Sequence, residues 1–152
     1  MSVFVRAFAL VFALILVGPV GGGEEGGEQA LIDEVTAALR KQTGAKPKAA
    51  ALVDALNRKT AGLLQEGRYA EAEPVARLAL ERGERVLGAE HPNTLKSVNN
   101  LGFLYEAQGR YGEAESLDRR ALEVRERVLG AEHSDTLTSI NNLAALYRAQ
   151  GR

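Results

Sequence analysis

Two histidines stand in similar surroundings in this sequence, and a histidine pair can hold a metal ion or move a proton. His91 lies in RVLGAEHPNTLKSVNNL, and His133 lies in RVLGAEHSDTLTSINNL. Zinc requires several ligands at about 2 Å. Because the two histidines occupy equivalent places in successive copies of one phrase, we expect them to stand about 10 Å apart, a helix diameter. We therefore interpret both as loop residues that help to dock one copy on the next.

Two clusters of acidic residues form the other candidate site. The letters EAE begin at Glu71 and again at Glu113. Neighbouring carboxyl groups can act as general acid and base. These ones stand early in predicted helices, where negative charge suits the helix dipole and where we expect them to face solvent. Since the chain has no Cys, a Cys nucleophile and thiolate zinc sites are excluded. We predict no catalytic residue, no metal and no cofactor.

The overall composition favours a helical domain with no affinity for nucleic acid. The 152 residues suffice for one domain, and 19 basic residues nearly balance 20 acidic ones without forming a basic stripe. Hydrophobic residues make up 45% of the chain, but aromatic residues make up 5% and Trp is absent. The abundance of Ala and Leu is typical of helices packed through small side chains.

The N-terminal segment has the order of a secretory signal peptide. Arg6 precedes an apolar run, residues 7–17, which is followed by Gly and Pro. The run is shorter than the ~20 residues that a membrane span needs. We predict a signal peptide at 1–22 and export to the periplasm or the medium. The alternative is an uncleaved membrane anchor formed by residues 7–20.

The rest of the chain is organised by a repeat. Asn57, Asn99 and Asn141 lie 42 positions apart, and Gly-Arg-Tyr at 67–69 returns at 109–111. Recurrence at a fixed interval indicates a repeated structural unit rather than a catalytic motif. The predicted divisions are a Gly/Glu-rich linker at 23–28, a degenerate capping helix at 29–44, and three units at 48–92, 93–134 and 135–152, the last incomplete.

Each unit is predicted to contain two helices, called helix A and helix B. In the second unit, Asn93 or Thr94 can cap the start of helix A, and Gly109 can end it in the left-handed conformation. Helix B is then predicted from Tyr111 to a stop at Gly130. The corresponding caps in the third unit are Ser134, Asp135 and Thr136.

The phrase NNLGFLYEAQGRYGEAESLDRRALEVRERVLGAEHSDT resembles a tetratricopeptide repeat, and in particular the 42-residue variety of kinesin light chains. The resemblance covers residues from about 50 to 152. Its marks are Leu101, Gly102, Tyr105, Ala114 and Ala121. It implies an all-α, right-handed solenoid of helix pairs in which helix A lines a concave face. It also implies binding of a peptide or protein segment, and no inherent reaction.

The first unit departs from the family pattern, since Lys59 and Thr60 stand where Leu101 and Gly102 stand in the second. We therefore expect its helix A to be degenerate. Tyr105 and its counterpart in the third unit are expected to pack between the two helices of their own unit.

Pairs of asparagines in the middle of helix A are the best candidates for contact with a partner. Asn is a poor helix former, and its amide can hold a peptide main chain whatever the side chains are. The alternative is a ladder of Asn side chains that bond between adjacent units. The full set of predicted partner-binding residues is Lys96, Asn99, Asn100, Phe103, Glu106, Asn141, Asn142 and Arg148.

The third unit has no helix B in this sequence. We expect Leu143, Leu146 and Tyr147 to lack a partner on one side, and repeat arrays normally require a polar terminal cap. Two interpretations remain open. The sequence is a fragment of a longer protein in which it has a regulatory role, or the open end pairs with a second copy in a structural or self-assembly role.

Overall fold

The computed structural model describes residues 24–45 and 47–151, which form six α-helices and no strand. The helices are α1 (Glu24–Thr43), α2 (Ala49–Gln65), α3 (Tyr69–Val86), α4 (Pro92–Ala107), α5 (Tyr111–Leu129) and α6 (Ser134–Ala149). The predicted all-α solenoid is confirmed. Helix A of the three units is α2, α4 and α6, and helix B of the first two units is α3 and α5.

The helices pack as a stack of hairpins. α2 pairs with α3 and α4 with α5, while α4 also packs on α3, and α6 packs on α5. Fully buried Ala72, Ala79, Ala114 and Ala121 let the helices of each pair approach closely, as their small side chains predict. The core continues through both hairpins, with Leu56, Leu78, Leu104 and Leu146 completely buried.

The first helix begins earlier than the sequence predicts. We expected a linker at 23–28 and a helix at 29–44, whereas α1 already includes Glu24. An isolated Gly costs a helix only about 1 kcal/mol, so the two glycines at 26 and 27 do not stop it. The predicted signal peptide, 1–22, lies outside the described residues. None of the helices that the structure describes is long and apolar enough to cross a bilayer.

α1 explains the departure of the first unit from the family pattern. Val35 and Leu39 are buried where α1 meets α2 and α3. Lys59 pairs with Glu34 of α1, at 2.7 Å between Nζ and Oε1. Thr60 is fully buried and its hydroxyl donates to the Leu56 carbonyl. α2 is therefore a regular helix, and Lys59 serves its contact with α1.

The helix ends follow the glycine pattern, but the helix starts do not follow the predicted caps. Gly109 adopts a φ of 73° after α4, as expected, and α5 begins at Tyr111. The N-cap of α4 is His91, whose Nδ1 accepts from the N–H of Asn93 at 3.1 Å. The N-cap of α6 is His133, which accepts in the same way. The residues expected to cap these helices were Asn93 and Thr94, and Ser134, Asp135 and Thr136.

The capping role changes the interpretation of the two histidines. Each imidazole satisfies a backbone N–H that the first turn of a helix leaves unpaired. Each therefore acts within its own loop and helix, rather than by docking one unit on the next. Within the described part of the chain, no group of three or more His, Cys, Asp or Glu side chains is placed to hold a metal ion.

Candidate partner-binding face and its junctions

The predicted partner-binding residues lie on two A helices, α4 and α6. Their spacing of three and four residues puts Lys96, Asn99, Phe103 and Glu106 on one face of α4. The equivalent positions of α6 are Thr138, Asn141, Ala145 and Arg148. We call the surface formed by these eight residues the A-helix face. Phe103 is 55% exposed, Lys96, Asn141 and Arg148 are exposed, and Asn99, Asn100, Glu106 and Asn142 are half-buried.

At the first junction, where α4 meets the first unit, one asparagine joins the A helices directly. Asn57 of α2 is only 4% exposed. Its Nδ2 donates to the Asn93 carbonyl and its Oδ1 accepts from the Ser97 hydroxyl, both at 2.8 Å. Asn100 in turn donates to the Asn57 carbonyl at 3.2 Å. Here the Asn side chains form the structural ladder that the sequence left open as an alternative.

At the second junction, where α6 meets the second unit, an arginine takes part instead. Arg125 of α5 donates to the hydroxyl of Ser139 on α6. In the amide orientation that satisfies both groups, the Asn99 oxygen accepts from Arg125 Nη2 and Nη1 at 2.9 and 3.3 Å. Among the described residues, neither Asn141 nor Asn142 has a hydrogen-bond partner. The bond that Asn100 donates at the first junction therefore has no counterpart at Asn142.

One of the repeat positions at which the two junctions differ holds Gly83 in α3 and Arg125 in α5. A Cβ at Gly83 would lie 2.8 Å from Thr94 Oγ1 and 3.3 Å from Thr94 Cα. The start of α4 thus rests against α3 where a side chain is missing. As a result α2 packs directly on α4, whereas α6 packs on α5 and makes slight contact, at most, with α4.

The threonine at the start of each A helix reports the same difference. Thr94 is fully buried against Gly83, and its hydroxyl has no hydrogen-bond partner. Thr136 is its counterpart in α6 and is equally buried, but its hydroxyl donates to the Gly130 carbonyl at 2.8 Å. The close approach at the first junction therefore leaves one buried hydroxyl unpaired, and the second junction does not.

Charged side chains line the A-helix face beside the first junction. Asp54 forms ion pairs with Arg58 and, at 3.7 Å, with Lys96. A shallow groove runs over these residues; its lining is Asp54, Asn57, Arg58, Ala61, Lys96, Asn99 and Asn100. Three of the predicted partner-binding residues thus share one groove with the first unit.

The tyrosines reach the preceding unit, which the sequence did not predict. The Tyr105 ring lies 3.9 Å from the guanidinium carbon of Arg110 and 5.9 Å from that of Arg77 on α3. The hydroxyl of Tyr147 accepts from Arg119 of α5 at 2.6 Å and donates to Glu115 at 3.1 Å. Both rings therefore help to join units, as cation–π contacts and hydrogen bonds permit.

The second glutamate of each EAE group also joins units instead of facing solvent. Glu73 accepts from Arg110 and Gln108 of the next unit at 3.0 and 3.2 Å. Burial alone would raise the pKa of Glu73, but hydrogen bonds from Arg110, Gln108 and Arg77 hold it below its ordinary value. A carboxylate held ionised by arginines is suited to an ion-pair network and poorly suited to general acid catalysis.

A buried carboxyl group in α5 escaped the sequence analysis. Asp118 is 6% exposed, and its Oδ1 would lie 3.0 Å from a Cβ at Gly102. Burial, helped by the nearby charge of Glu106 and opposed by Arg125, raises the pKa of Asp118 to about 6. The available signal was a single acidic residue in the apolar stripe between Ala114 and Ala121.

Two large apolar side chains at the start of α6 are exposed. Leu137 is 49% and Ile140 is 41% exposed, whereas the equivalent Leu95 and Val98 of α4 are 5% and 0% exposed. The expectation for Leu146 was wrong, because this side chain is fully buried against the core. Leu143 and Tyr147, which were expected to lack a partner on one side, are half-buried.

Comparisons with known proteins agree with this architecture. A family model described as tetratricopeptide repeat matches residues 54–126 and 97–152. The chain belongs to the tetratricopeptide repeat family. Its repeat interval is 42 residues. Such repeats generally mediate protein–protein interactions, and proteins built from them are typically non-enzymatic scaffolds.

A solved structure shares the fold. The crystal structure of BtubC (BKLC) from P. vanneervenii superposes with a TM-score of 0.63 at 23% sequence identity, over 83% of this chain. This chain spans about half, 51%, of that protein. No curated protein matches the chain.

Proposed function

We propose that the protein is a non-enzymatic interaction module that binds an extended segment of another protein on the A-helix face. The observation that carries this proposal is the state of Asn142. Its amide has no hydrogen-bond partner in the part of the chain that the structure describes, whereas its equivalent Asn100 bonds to the Asn57 carbonyl. Asn141 beside it is exposed. An unpaired amide on an exposed helix face offers both a donor and an acceptor to an incoming main chain.

The side chains around these amides favour a ligand held through its backbone and one apolar contact. Phe103 is the large exposed apolar residue of the A-helix face. Lys96, Glu106 and Arg148 contribute charges of both signs, so the surface has no single electrostatic preference. Buried aromatic anchors carry much of the energy at protein interfaces, and we expect Phe103 to contribute more to affinity than any one charge.

A binding experiment with defined peptides tests this proposal. Random peptides displayed on phage are selected on the wild-type protein, and the affinities of recovered peptides are measured by fluorescence polarisation. We expect Asn141→Leu and Phe103→Ala each to weaken binding about tenfold, or 1.4 kcal/mol, while circular dichroism stays unchanged. Glu123→Ala, an exposed change on α5, is the matched control. Peptides that bind all three variants equally well would contradict the proposal.

Export is part of the proposed function and rests on the sequence of residues 1–22. The expected mature chain begins at Gly23, and the alternative is a protein anchored by residues 7–20. Mass spectrometry of the N-terminal peptide of the native protein separates the two. A peptide that begins at Gly23 supports export, and one that begins within the first few residues contradicts it.

A second candidate function is self-assembly through the start of α6. The exposed Leu137 and Ile140 favour it, because the equivalent side chains of α4 are buried. Two copies that cover this patch by two-fold symmetry would form a dimer. We expect Leu137→Ser with Ile140→Ser to shift a sedimentation profile to the monomer, and Val86→Ser, at a residue 51% exposed on α3, to leave it unchanged. A wild-type chain that is monomeric at all concentrations would exclude this function.

A further inference from the structure

The gap between α4 and α6 depends on one side chain of α5. Arg125 is 7% exposed and lies between the two A helices of the second junction. It donates toward Asn99 on one side and toward Ser139 on the other. A planar guanidinium with five N–H donors can satisfy acceptors on two helices at once. Arg125 thus occupies the space through which α4 and α6 would otherwise meet.

The first junction shows what happens when this space is empty. Asn57 and Ser97, the repeat equivalents of Asn99 and Ser139, bond to each other at 2.8 Å. The position equivalent to Arg125 there is Gly83, which brings no side chain between them. The same Asn–Ser pair is therefore bonded directly in one junction and bridged by a guanidinium in the other.

The insertion has a consequence for a second asparagine. Asn100 of α4 donates to the Asn57 carbonyl across the closed junction. Asn142 is its equivalent on α6, and its side-chain amide has no hydrogen-bond partner among the described residues. Opening the junction thus releases the amide that a closed junction would use to join the two A helices.

We propose that Arg125 is a positioning residue that holds α6 away from α4, and that the cleft so formed accepts the main chain of an extended partner segment. The second half rests on the proposed function and identifies its site. The partner's carbonyl groups take the place that the Asn57 carbonyl holds in the first junction, and Asn142 donates to them. The selectivity is for extended chain, because a helix about 10 Å across is too wide to enter between two A helices.

The distance between α4 and α6 can be measured in the protein alone, without a bound peptide. The chain has no Cys, so Lys96→Cys with Thr138→Cys allows a pair of nitroxide labels across the second junction. Both positions are exposed and equivalent in the repeat. Electron paramagnetic resonance then reports the distance. We expect Arg125→Gly to shorten it toward the separation of packed helices, about 8–10 Å between axes. The distance between labels at Asp54→Cys and Lys96→Cys gives the closed reference.

Two controls separate spacing from a general effect of glycine in α5. Arg120→Gly removes an arginine of the same helix that pairs with Glu84, at 2.5 Å, away from the cleft, and we expect an unchanged distance. Gly83→Arg is the reciprocal change and should lengthen the Asp54–Lys96 distance. Unchanged distances in both Arg125→Gly and Gly83→Arg overturn the spacer role. Should Arg125→Gly fail to fold, the reciprocal variant alone decides.

Peptide binding tests the occupant of the cleft. With the selected peptides, we expect Arg125→Gly and Asn142→Ala each to weaken binding about tenfold, and Arg120→Gly to have no effect. If Arg125→Gly shortens the distance between α4 and α6 but leaves the peptide affinity unchanged, the cleft is not the binding site, and the spacer role of Arg125 still stands. If Phe103→Ala and the other substitutions on the A-helix face all leave the peptide affinity unchanged, the proposed function itself is overturned. The distance measurement would still test the spacer role of Arg125.

Discussion

The two junctions of this protein have the same Asn and Ser residues at equivalent repeat positions, yet their A helices pack differently. At the first, the Asn57 side chain bonds to α4 across a surface that Gly83 leaves bare. At the second, Arg125 separates the equivalent groups and α6 rests on α5. We infer from this comparison that one position on helix B controls how closely neighbouring A helices pack. In a solenoid, where each unit contacts its neighbours, such a choice stays local.

The two complete units also differ in which of their two helices carries the larger side chain at a pair of equivalent repeat positions. In the second unit Asp118 of α5 approaches Gly102 of α4, and the equivalent positions of the first unit hold Ala76 on α3 and Thr60 on α2. The side chain that fills the space between the two helices comes from helix A in one unit and from helix B in the other. The second unit thereby buries a carboxyl group where the first buries a hydroxyl.

The largest expected difference between the junctions is in apolar packing. Leu95→Ala should lower the free energy of unfolding by about 3 kcal/mol, as buried Leu to Ala changes do. Leu137→Ala, at the equivalent position of α6, should lower it by less than about 1 kcal/mol because half of the side chain is already exposed. Urea unfolding of the two variants checks this. Equal losses would mean that Leu137 is covered in solution, as in a dimer.

Polar bonds at the junctions should show a graded effect. Asn57→Ala removes two buried hydrogen bonds, one to the Asn93 carbonyl and one from the Ser97 hydroxyl, and these two groups keep only their mutual bond at 3.1 Å. The loss should cost about 2 kcal/mol. Asn99→Ala should cost about 1 kcal/mol, since Asn99 is half-buried and water can partly replace its contact with Arg125. Asn141→Ala should be close to neutral. The same denaturation series measures all three, and a cost at Asn99 as large as that at Asn57 would contradict the open second junction.

The close approach at the first junction is tested by adding one methyl group. Gly83→Ala should lower the free energy of unfolding by about 1 kcal/mol, because the clash with Thr94 outweighs the better helix propensity of Ala. Gly62→Ala is the matched control in α2, where an added Cβ meets nothing within 4 Å. That change should stabilise the protein by up to about 1 kcal/mol. Thermal unfolding of both variants gives the signs, and two stabilising changes would disprove the tight contact.

The smallest effect concerns the buried carboxyl group of the second unit. Since the pKa of Asp118 rises from 3.8 to about 6 on folding, its ionised form disfavours the fold above pH 6. As pH falls through 6 the folded protein takes up a proton, and this penalty fades toward pH 4. Asp118→Asn should therefore stabilise the protein at pH 8 by on the order of 1 kcal/mol, and by nothing near pH 4. An advantage that does not change with pH would assign the effect to packing.

The features that depend on local backbone chemistry could be predicted from the sequence. Gly109 and Tyr111 marked the end of α4 and the start of α5, because a left-handed glycine and a helix start leave signals in adjacent letters. The repeat interval of 42 and the resemblance supplied the all-α solenoid. The caps were missed, since a histidine that caps through Nδ1 is recognised only when the loop geometry is known.

The character of the candidate face lay beyond the sequence. Asn57, Asn99 and Asn141 are identical letters at identical spacing, yet their side chains are buried, half-buried and exposed. Asn99 contacts Arg125 of α5, whereas at the junction of Asn57 the position equivalent to Arg125 holds Gly83. The contact between Asn99 and Arg125 joins residues 26 positions apart in the sequence. An alignment of the repeats does not show which residues make such a contact.

The slight contact between α6 and α4 also has a consequence for exchange of amide hydrogens with solvent. α6 is attached mainly through α5, so it can detach without disturbing the hairpins before it. We expect its amides to exchange by such local opening, faster than those of α2 to α5, which require loss of the whole stack. The protein would then exist at equilibrium with a small population in which the last helix is released and the surface of α5 beneath it is bare.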